Sequence, residues 1–183
     1  MSANNTSILG WWFSERKTLA HGDGRRIRIG GAHTIKGDIV PCQRGVHFSV
    51  RPIDALQYAM GAIVYRVRGS GTIVRCDDQI VCSRREYVAG GVDGTETLRH
   101  FARLCALDVV HLWDAPRVVV RYLRTGDPAL RDAAMAAAFA ASRAAERTDA
   151  SDAAGATAGD AARAAARATQ NTRLHRMLLE VIR

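Results

Sequence analysis

The chain has 183 residues, a length typical of one ordinary domain with a core large enough to fold unaided. Its 26 Lys and Arg exceed its 18 Asp and Glu, and the formal net charge of +8 favours polyanionic partners such as nucleic acid or the acidic face of a protein. No apolar run is long enough to cross a bilayer, residues 1–7 lack an export signal, and the four cysteines are dispersed, so we expect a cytoplasmic protein with no membrane association.

The first ninety residues predict short strands separated by turns. Residues 8–13 form an apolar and aromatic run typical of an opening strand, and residues 46–48 predict another strand directly after Gly45. Pro52 suits the first residue of a short helix, and Ser49 is placed to cap that helix. The helix would therefore start where the strand of residues 46–48 ends.

Alternating apolar residues predict the remaining strands. Residues 63–67 and 73–74 would be two strands joined by a turn at residues 69–71, and residues 80–82 and 87–89 would be the last two. The spacing predicts a meander of antiparallel strands with one short helix inserted.

After Gly91 the apolar period changes from that of a strand to that of a helix. One helix would follow directly, with a second starting near Pro116 and a third near Pro128. The fold class we predict is α+β, with an N-terminal antiparallel sheet, an inserted short helix and a helical C-terminal half with an Ala-rich tail. The expected division is an α+β domain at residues 1–127 and the helical tail at residues 128–183.

The end of the tail carries an apolar stripe that suits helix packing. Its members fall on one face of a helix: Leu174, Met177, Leu178 and Val181. The stripe would pack back on the chain's own domain, or it would pair two copies into a homo-oligomer, because alanine offers little area to bury elsewhere in the tail.

The segment 45–59 carries the densest set of chemically useful residues. A strand there would bring His47 and Ser49 to the N-terminus of the following helix, where free backbone N–H groups and the helix dipole favour an anion. Phosphate-bearing small molecules are the class of ligand that this arrangement predicts.

The same segment resembles the ADP-ribosyltransferase superfamily, particularly members related to poly-ADP-ribose polymerases and diphtheria-type toxins. The matching residues run from Gly45 to Gly69: Gly45, Val46, His47, Phe48, Ser49, Ala55 and Tyr58, followed by the strand Val64-Tyr65-Arg66-Val67 and by Gly69. The resemblance implies an NAD-binding, ADP-ribosyltransferase-like protein that acts on a macromolecular target, with this strand and helix forming the wall of the nicotinamide pocket.

The resemblance also implies roles for single residues. Glu86 and His47 would be the catalytic residues, with Glu86 holding a ribose hydroxyl while an oxocarbenium-like transition state forms and nicotinamide leaves. Contacts to NAD would come from four residues: Ser49, Tyr58, Gly45 and Arg16. Two features depart from the family pattern, since His47 replaces the usual tyrosine and Arg16 lies off the position of the usual ribose anchor.

A second resemblance supports a non-catalytic hypothesis. Much of the chain from Pro41 onward is similar to small proteins of GC-rich bacteria and phages that share the pattern G-apolar-H-x-S…P-x-D-A-L-x-Y, and this likeness carries no activity with it. Such a phage or mobile-element protein would bind and inhibit a host factor through basic and helical surfaces, among them Arg25, Arg26 and Arg28. Alternatively it would sequester a nucleotide at the His47 corner.

The cysteine spacing does not predict a metal site. Cys42, Cys76 and Cys82 with His47 offer four zinc-type ligands, but their spacing matches no standard zinc motif, so we expect no bound metal.

Overall fold

The computed structural model describes residues 7–19, 24–145 and 156–183. Within them the fold is α+β, as predicted, with a five-stranded antiparallel sheet in the N-terminal half and helices in the C-terminal half. The strands are β1 (Ile8–Ser14), β2 (Ala32–Thr34), β3 (Val46–Phe48), β4 (Ile63–Arg75) and β5 (Ile80–Asp93). The α-helices are α1 (Pro52–Ala55), α2 (Thr95–Val109), α3 (Arg117–Thr125), α4 (Arg131–Ala145) and α5 (Ala156–Val181), and short 3-10 turns occupy Leu56–Tyr58, Val110–Leu112 and Pro128–Leu130.

The chain divides into two compact units. The first unit comprises Met1–Thr97 together with Thr169–Arg183, and the second comprises Leu98–Ala168. The first unit therefore contains the sheet, α1 and the last turns of α5. The expected division at residues 127 and 128 stays a prediction.

The strands of the first unit form a ring. β1 pairs with β4, β4 with β5, and β5 with both β3 and β2, all antiparallel. A bridge between Trp11 of β1 and Ser49, directly after β3, closes the circuit: the backbone N–H of Trp11 donates to the Ser49 carbonyl at 2.7 Å, and the return bond measures 3.1 Å. β1 and β3 are thus joined at a single point, whereas all of β1 pairs with the first half of β4, residues 63–69.

Aromatic and aliphatic side chains fill the ring. The buried cluster consists of Phe48, Tyr65, Val67, Ile80, Cys82 and Tyr87. The half-buried indole of Trp12 extends the cluster, since its ring centroid lies 5.5 Å from that of Tyr65 and 5.8 Å from that of Tyr87. These contacts are in the range at which aromatic pairs attract one another beyond their buried area.

β4 and β5 are each one long strand, and the prediction of a turn at residues 69–71 was wrong. β4 runs for 13 residues and β5 for 14. The glycines that suggested a turn lie at or next to an irregularity in the pairing of the two strands, between Ser70 and Ile73, and the strand continues through it. Gly69 is required by packing rather than by a turn, because a Cβ there would overlap the ring of Phe48.

The last turns of α5 belong to the first unit. Leu174 and Leu178 are fully buried, and the ring of His175 meets that of Trp11 edge-on at 5.4 Å. The side-chain oxygen of Asn171 accepts from the backbone N–H of Ile53 at 3.4 Å. Two members of the predicted apolar stripe therefore pack within their own chain, while pairing of two copies stays a prediction.

Helix ends in the second unit follow the local signals in the sequence. Gly126, with a φ of 67°, ends α3, and the Asp127 carboxylate accepts from the backbone N–H of Ala129 at 2.9 Å as the chain enters its next turn. Among the described helices, none is both long enough and apolar enough to span a bilayer.

Candidate functional site

A cavity of about 200 Å³ lies in the first unit where β1 and β3 part. Its lining comes from β1, from the end of β3, from α1 and its 3-10 turn, and from the loop before β5: Trp11, Trp12, His47, Phe48, Ser49, Ala55, Tyr58 and Gln79. Trp11 and Trp12 point to opposite faces of β1, and both line the cavity. The cavity therefore lies at the edge of β1, next to the bridge to Ser49, rather than on one face of the sheet. The structure thus brings His47, Ser49 and Tyr58 together, as the sequence suggested.

Two polar atoms of the lining residues have no hydrogen-bond partner among the described residues. They are the indole Nε1 of Trp11 and the hydroxyl of Ser49, and both residues are almost completely buried. A buried polar atom without a partner costs about 1–3 kcal/mol, so native structures rarely retain one without a ligand or water. The prediction that Ser49 caps α1 was wrong, because the N-cap position is Arg51 and no side-chain hydrogen bond caps the helix.

His47 enters the cavity as a half-buried imidazole next to a buried cation. Burial, and to a smaller extent the positive charge of Arg85, lowers the pKa of His47 from its ordinary value. At neutral pH the imidazole is therefore neutral and offers one donor and one acceptor nitrogen.

Arg85 of β5 lies directly behind this part of the cavity wall. The residue is 4% exposed, and its guanidinium stacks on the Trp12 ring with Cζ 3.9 Å from the ring centroid and donates to the backbone carbonyl of His47. It also donates to the Tyr87 hydroxyl at 2.8 Å, and that hydroxyl lies 2.7 Å from Nδ1 of His33. A hydrogen-bonded chain thus links β2, β5 and the cavity wall in β3.

A second arginine flanks the cavity on the other face of β1. Cζ of Arg66 lies 4.7 Å from the centroid of the Trp11 ring, and the Nη1 atom of Arg66 is buried without a partner, as is Nε of Arg85. Within the described residues, neither arginine has a carboxylate at ion-pair distance, and burial lowers the pKa of each guanidinium.

Three of the predicted site residues lie away from the cavity. Glu86 alternates with the inward-facing Arg85 and Tyr87, and its carboxylate lies 3.4 Å from Arg84 and 3.6 Å from Arg68. Arg16 is an exposed side chain that pairs with its neighbour Glu15. Gly45, with a φ of 152°, allows a close approach to Val81 of β5 rather than to the cavity. Catalytic and NAD-binding roles for these residues stay predictions.

Tyr58 marks the border between this cavity and a neighbouring one. Its ring is half exposed, and its hydroxyl donates to the Asp78 carboxylate at 2.7 Å, a bond that raises the pKa of Tyr58. The neighbouring cavity, of about 280 Å³, has Asp54 and Asp78 in its lining, and the Asp54 carboxylate pairs with Arg51. Among the residues that the structure describes, no three His, Cys, Asp or Glu side chains group so as to hold a metal ion.

Comparison with known proteins identifies no relative: no family model matches the sequence, and neither the curated proteins nor the solved structures contain a match. The assignment of a function therefore depends on the cavity and its surroundings.

Sequence reasoning missed the arginines behind the cavity. The signal was present, since Arg85 and Tyr87 are two residues apart in a stretch that forms a strand and so share a face. The prediction placed Glu86 in the site instead, on the strength of the resemblance, and a shift of one residue along a strand moves a side chain to the opposite face.

Proposed function

We propose that this protein binds a nucleotide of the NAD class at the cavity between β1 and β3. The observation that carries the proposal is the pair of unpartnered buried atoms, Trp11 Nε1 and the Ser49 hydroxyl, on two residues that line one cavity. Oxygen atoms of a nucleotide would accept hydrogen bonds from both. The neutral imidazole of His47 adds a third polar contact at the same place.

The size of the cavity supports partial rather than complete enclosure of such a ligand. Sites that enclose whole ligands of drug size occupy roughly 300–1,000 Å³, and this cavity has about 200 Å³. Part of the nucleotide would enter the cavity, and the remainder would lie along the exposed rim beside Tyr58.

The position of Glu86 favours binding over group transfer. A glutamate that holds the ribose during loss of nicotinamide must touch the substrate, yet the Glu86 carboxylate is engaged by two arginines and does not line the cavity. Sequestration of the nucleotide, without turnover, is therefore the form of the function that we propose.

Thermal unfolding with added ligand tests the proposal. NAD or ADP-ribose at about 100 times the dissociation constant would stabilise the protein by about 2.7 kcal/mol and raise its Tm measurably. His47→Ala removes a lining side chain and would reduce the shift, whereas His100→Ala, at an exposed position on α2, would leave it unchanged.

Two results would count against this function. Absence of stabilisation by both nucleotides would remove the support for a nucleotide site. Release of nicotinamide from NAD, abolished by Glu86→Gln, would show group transfer and would replace sequestration by the transferase activity.

A further inference from the structure

We infer that the part of the ligand that enters the cavity is its phosphate, drawn there by Arg85 and Arg66. This inference rests on the proposed nucleotide site and names which part of the nucleotide the site recognises. It differs from the resemblance, which implies the nicotinamide ring at this position.

Two guanidinium groups lie against the indoles that line the cavity. Arg85 stacks on Trp12 and Arg66 stacks on Trp11, so that each of the two lining indoles has a guanidinium against it. Each guanidinium keeps one buried nitrogen without a hydrogen-bond partner, and no described carboxylate pairs with either. An unpaired buried charge is among the most unfavourable features of a folded protein unless an opposite charge approaches it.

The two unpartnered atoms of the lining residues are both able to donate. The indole N–H of Trp11 can only donate, and the hydroxyl of Ser49 can donate to an oxyanion. The carboxylates nearest to the cavity are already engaged, since Asp78 accepts from Tyr58 and Asp54 pairs with Arg51. A phosphate would satisfy the unpartnered donors and balance the two cations at once, whereas an uncharged ring would leave both cations unbalanced.

The inference is tested by titration calorimetry with ligands that differ only in the phosphate. We expect nicotinamide mononucleotide to bind at least tenfold more tightly than nicotinamide riboside, because the two charges held against the lining indoles are screened less by salt than surface charges are. Inorganic pyrophosphate should bind to the same site and compete with the mononucleotide.

Variants of the two arginines test whether Arg85 and Arg66 cause the preference for the mononucleotide over the riboside. Arg66→Gln removes one charge at a half-buried position, and Arg85→Met removes the other; each should weaken binding of the mononucleotide by about 10- to 100-fold while changing binding of the riboside little. Arg85→Lys keeps the charge and serves as the control if Arg85→Met fails to fold. The comparison of the two ligands on the unmodified chain needs no variant.

The outcomes separate this inference from the proposed function. Equal affinity for mononucleotide and riboside would overturn the inference and leave the nucleotide site standing. Binding of pyrophosphate that depends on Arg85 or Arg66, without binding of any nucleotide, would support the inference and overturn the proposed function. If neither pyrophosphate nor the mononucleotide binds, the inference is wrong, and if NAD and ADP-ribose also fail to bind, the proposed function is wrong as well.

Discussion

Phe48 reaches across the interior of the strand ring to two glycines on neighbouring strands. A Cβ at Gly69 would lie 2.6 Å from Cζ of Phe48, and a Cβ at Gly10 would lie 2.6 Å from its Cε2. The ring therefore occupies the space that side chains at these positions would take. Because Phe48 directly precedes Ser49, which closes the ring, this packing also fixes the wall of the cavity.

Gly69→Ala is expected to lower the free energy of unfolding by about 1–3 kcal/mol, because the added methyl overpacks the core against Phe48. Urea unfolding measures the loss. The double variant Gly69→Ala with Phe48→Leu should lose less free energy of unfolding than the sum of the two single losses, because the smaller side chain makes room for the methyl.

Gly30→Ala is a suitable control for that experiment. Its added Cβ meets no atom within 4 Å, so that only the strain of its φ of 81° remains. The close packing of Phe48 would be contradicted if Gly69→Ala lowered the free energy of unfolding no more than Gly30→Ala did, and if the effects of Gly69→Ala and Phe48→Leu were additive.

The lowered pKa of His47 gives stability a defined dependence on pH. Above its ordinary pKa of 6.5 the imidazole is neutral in both folded and unfolded chains and contributes no difference. As the pH falls below 6.5 the unfolded chain binds the proton first, so stability is lost until the pH passes the folded pKa. The pKa of His175 is also lowered, by burial and then by Arg66, and acts in the same sense.

We expect the free energy of unfolding to fall between pH 7.5 and about 5.5 and to fall less in His47→Gln. Urea unfolding at the two pH values measures the difference. His100→Gln, at an exposed position, is the control and should follow the unmodified chain. An equal fall in His47→Gln and in the unmodified chain would show that His47 is not protonated differently in the two states.

Among the elements, those governed by local signals were predictable. The opening strand, the strand of residues 46–48 and the helix beginning at Pro52 were predicted from apolar runs and from proline, and all three are present. The continuity of β4 and β5 was not predictable in this way. Glycines at Gly69 and Gly71 signal a turn locally, whereas cross-strand pairing and the packing of Phe48 decide the outcome.

The candidate site was predictable only in part, for a related reason. Strand alternation and the helix start placed His47 and Ser49 near one another, the resemblance placed Tyr58 beside them, and these three line the cavity. Strand alternation indicates that Arg85 and Tyr87 share a face, but it does not indicate what that face contacts. Trp11 and Arg85 approach the site through the closure of the ring and the pairing of β5 with β3, and these long-range contacts leave no local signal in the sequence.

The last turns of α5 supply two fully buried leucines, Leu174 and Leu178. Leu174→Ala is expected to lower the free energy of unfolding by about 2–5 kcal/mol, because a fully buried leucine leaves a cavity when it is truncated. Leu179→Ala, at a position 36% exposed, is the control on the same helix and should cost far less. Urea unfolding compares the two, and similar losses would show that this face of α5 is not the buried one.

Across the whole molecule, the arginines that give the chain its positive net charge differ in how far they are exposed. Most of the arginines lie at the surface, where the net charge of +8 favours polyanions without selecting among them. Arg85 and Arg66 are different, because each lies against an indole that lines the cavity and keeps a buried nitrogen without a partner among the described residues. Selective recognition is therefore expected from these two residues and non-selective attraction from the rest.

The division into two compact units predicts how a local perturbation spreads. Gly69→Ala strains the interior of the first unit, which includes the sheet and residues 169–183. Amide hydrogen exchange should therefore become faster in β1, β4 and β5 and in the last turns of α5, because these segments open together when the core is destabilised. Exchange in α3 and α4 should change little, since both lie in the second unit. If exchange became equally faster in α3 and α4, the chain would unfold as one cooperative body. If the amides of residues 169–183 kept their protection, these residues would not share the core of the sheet.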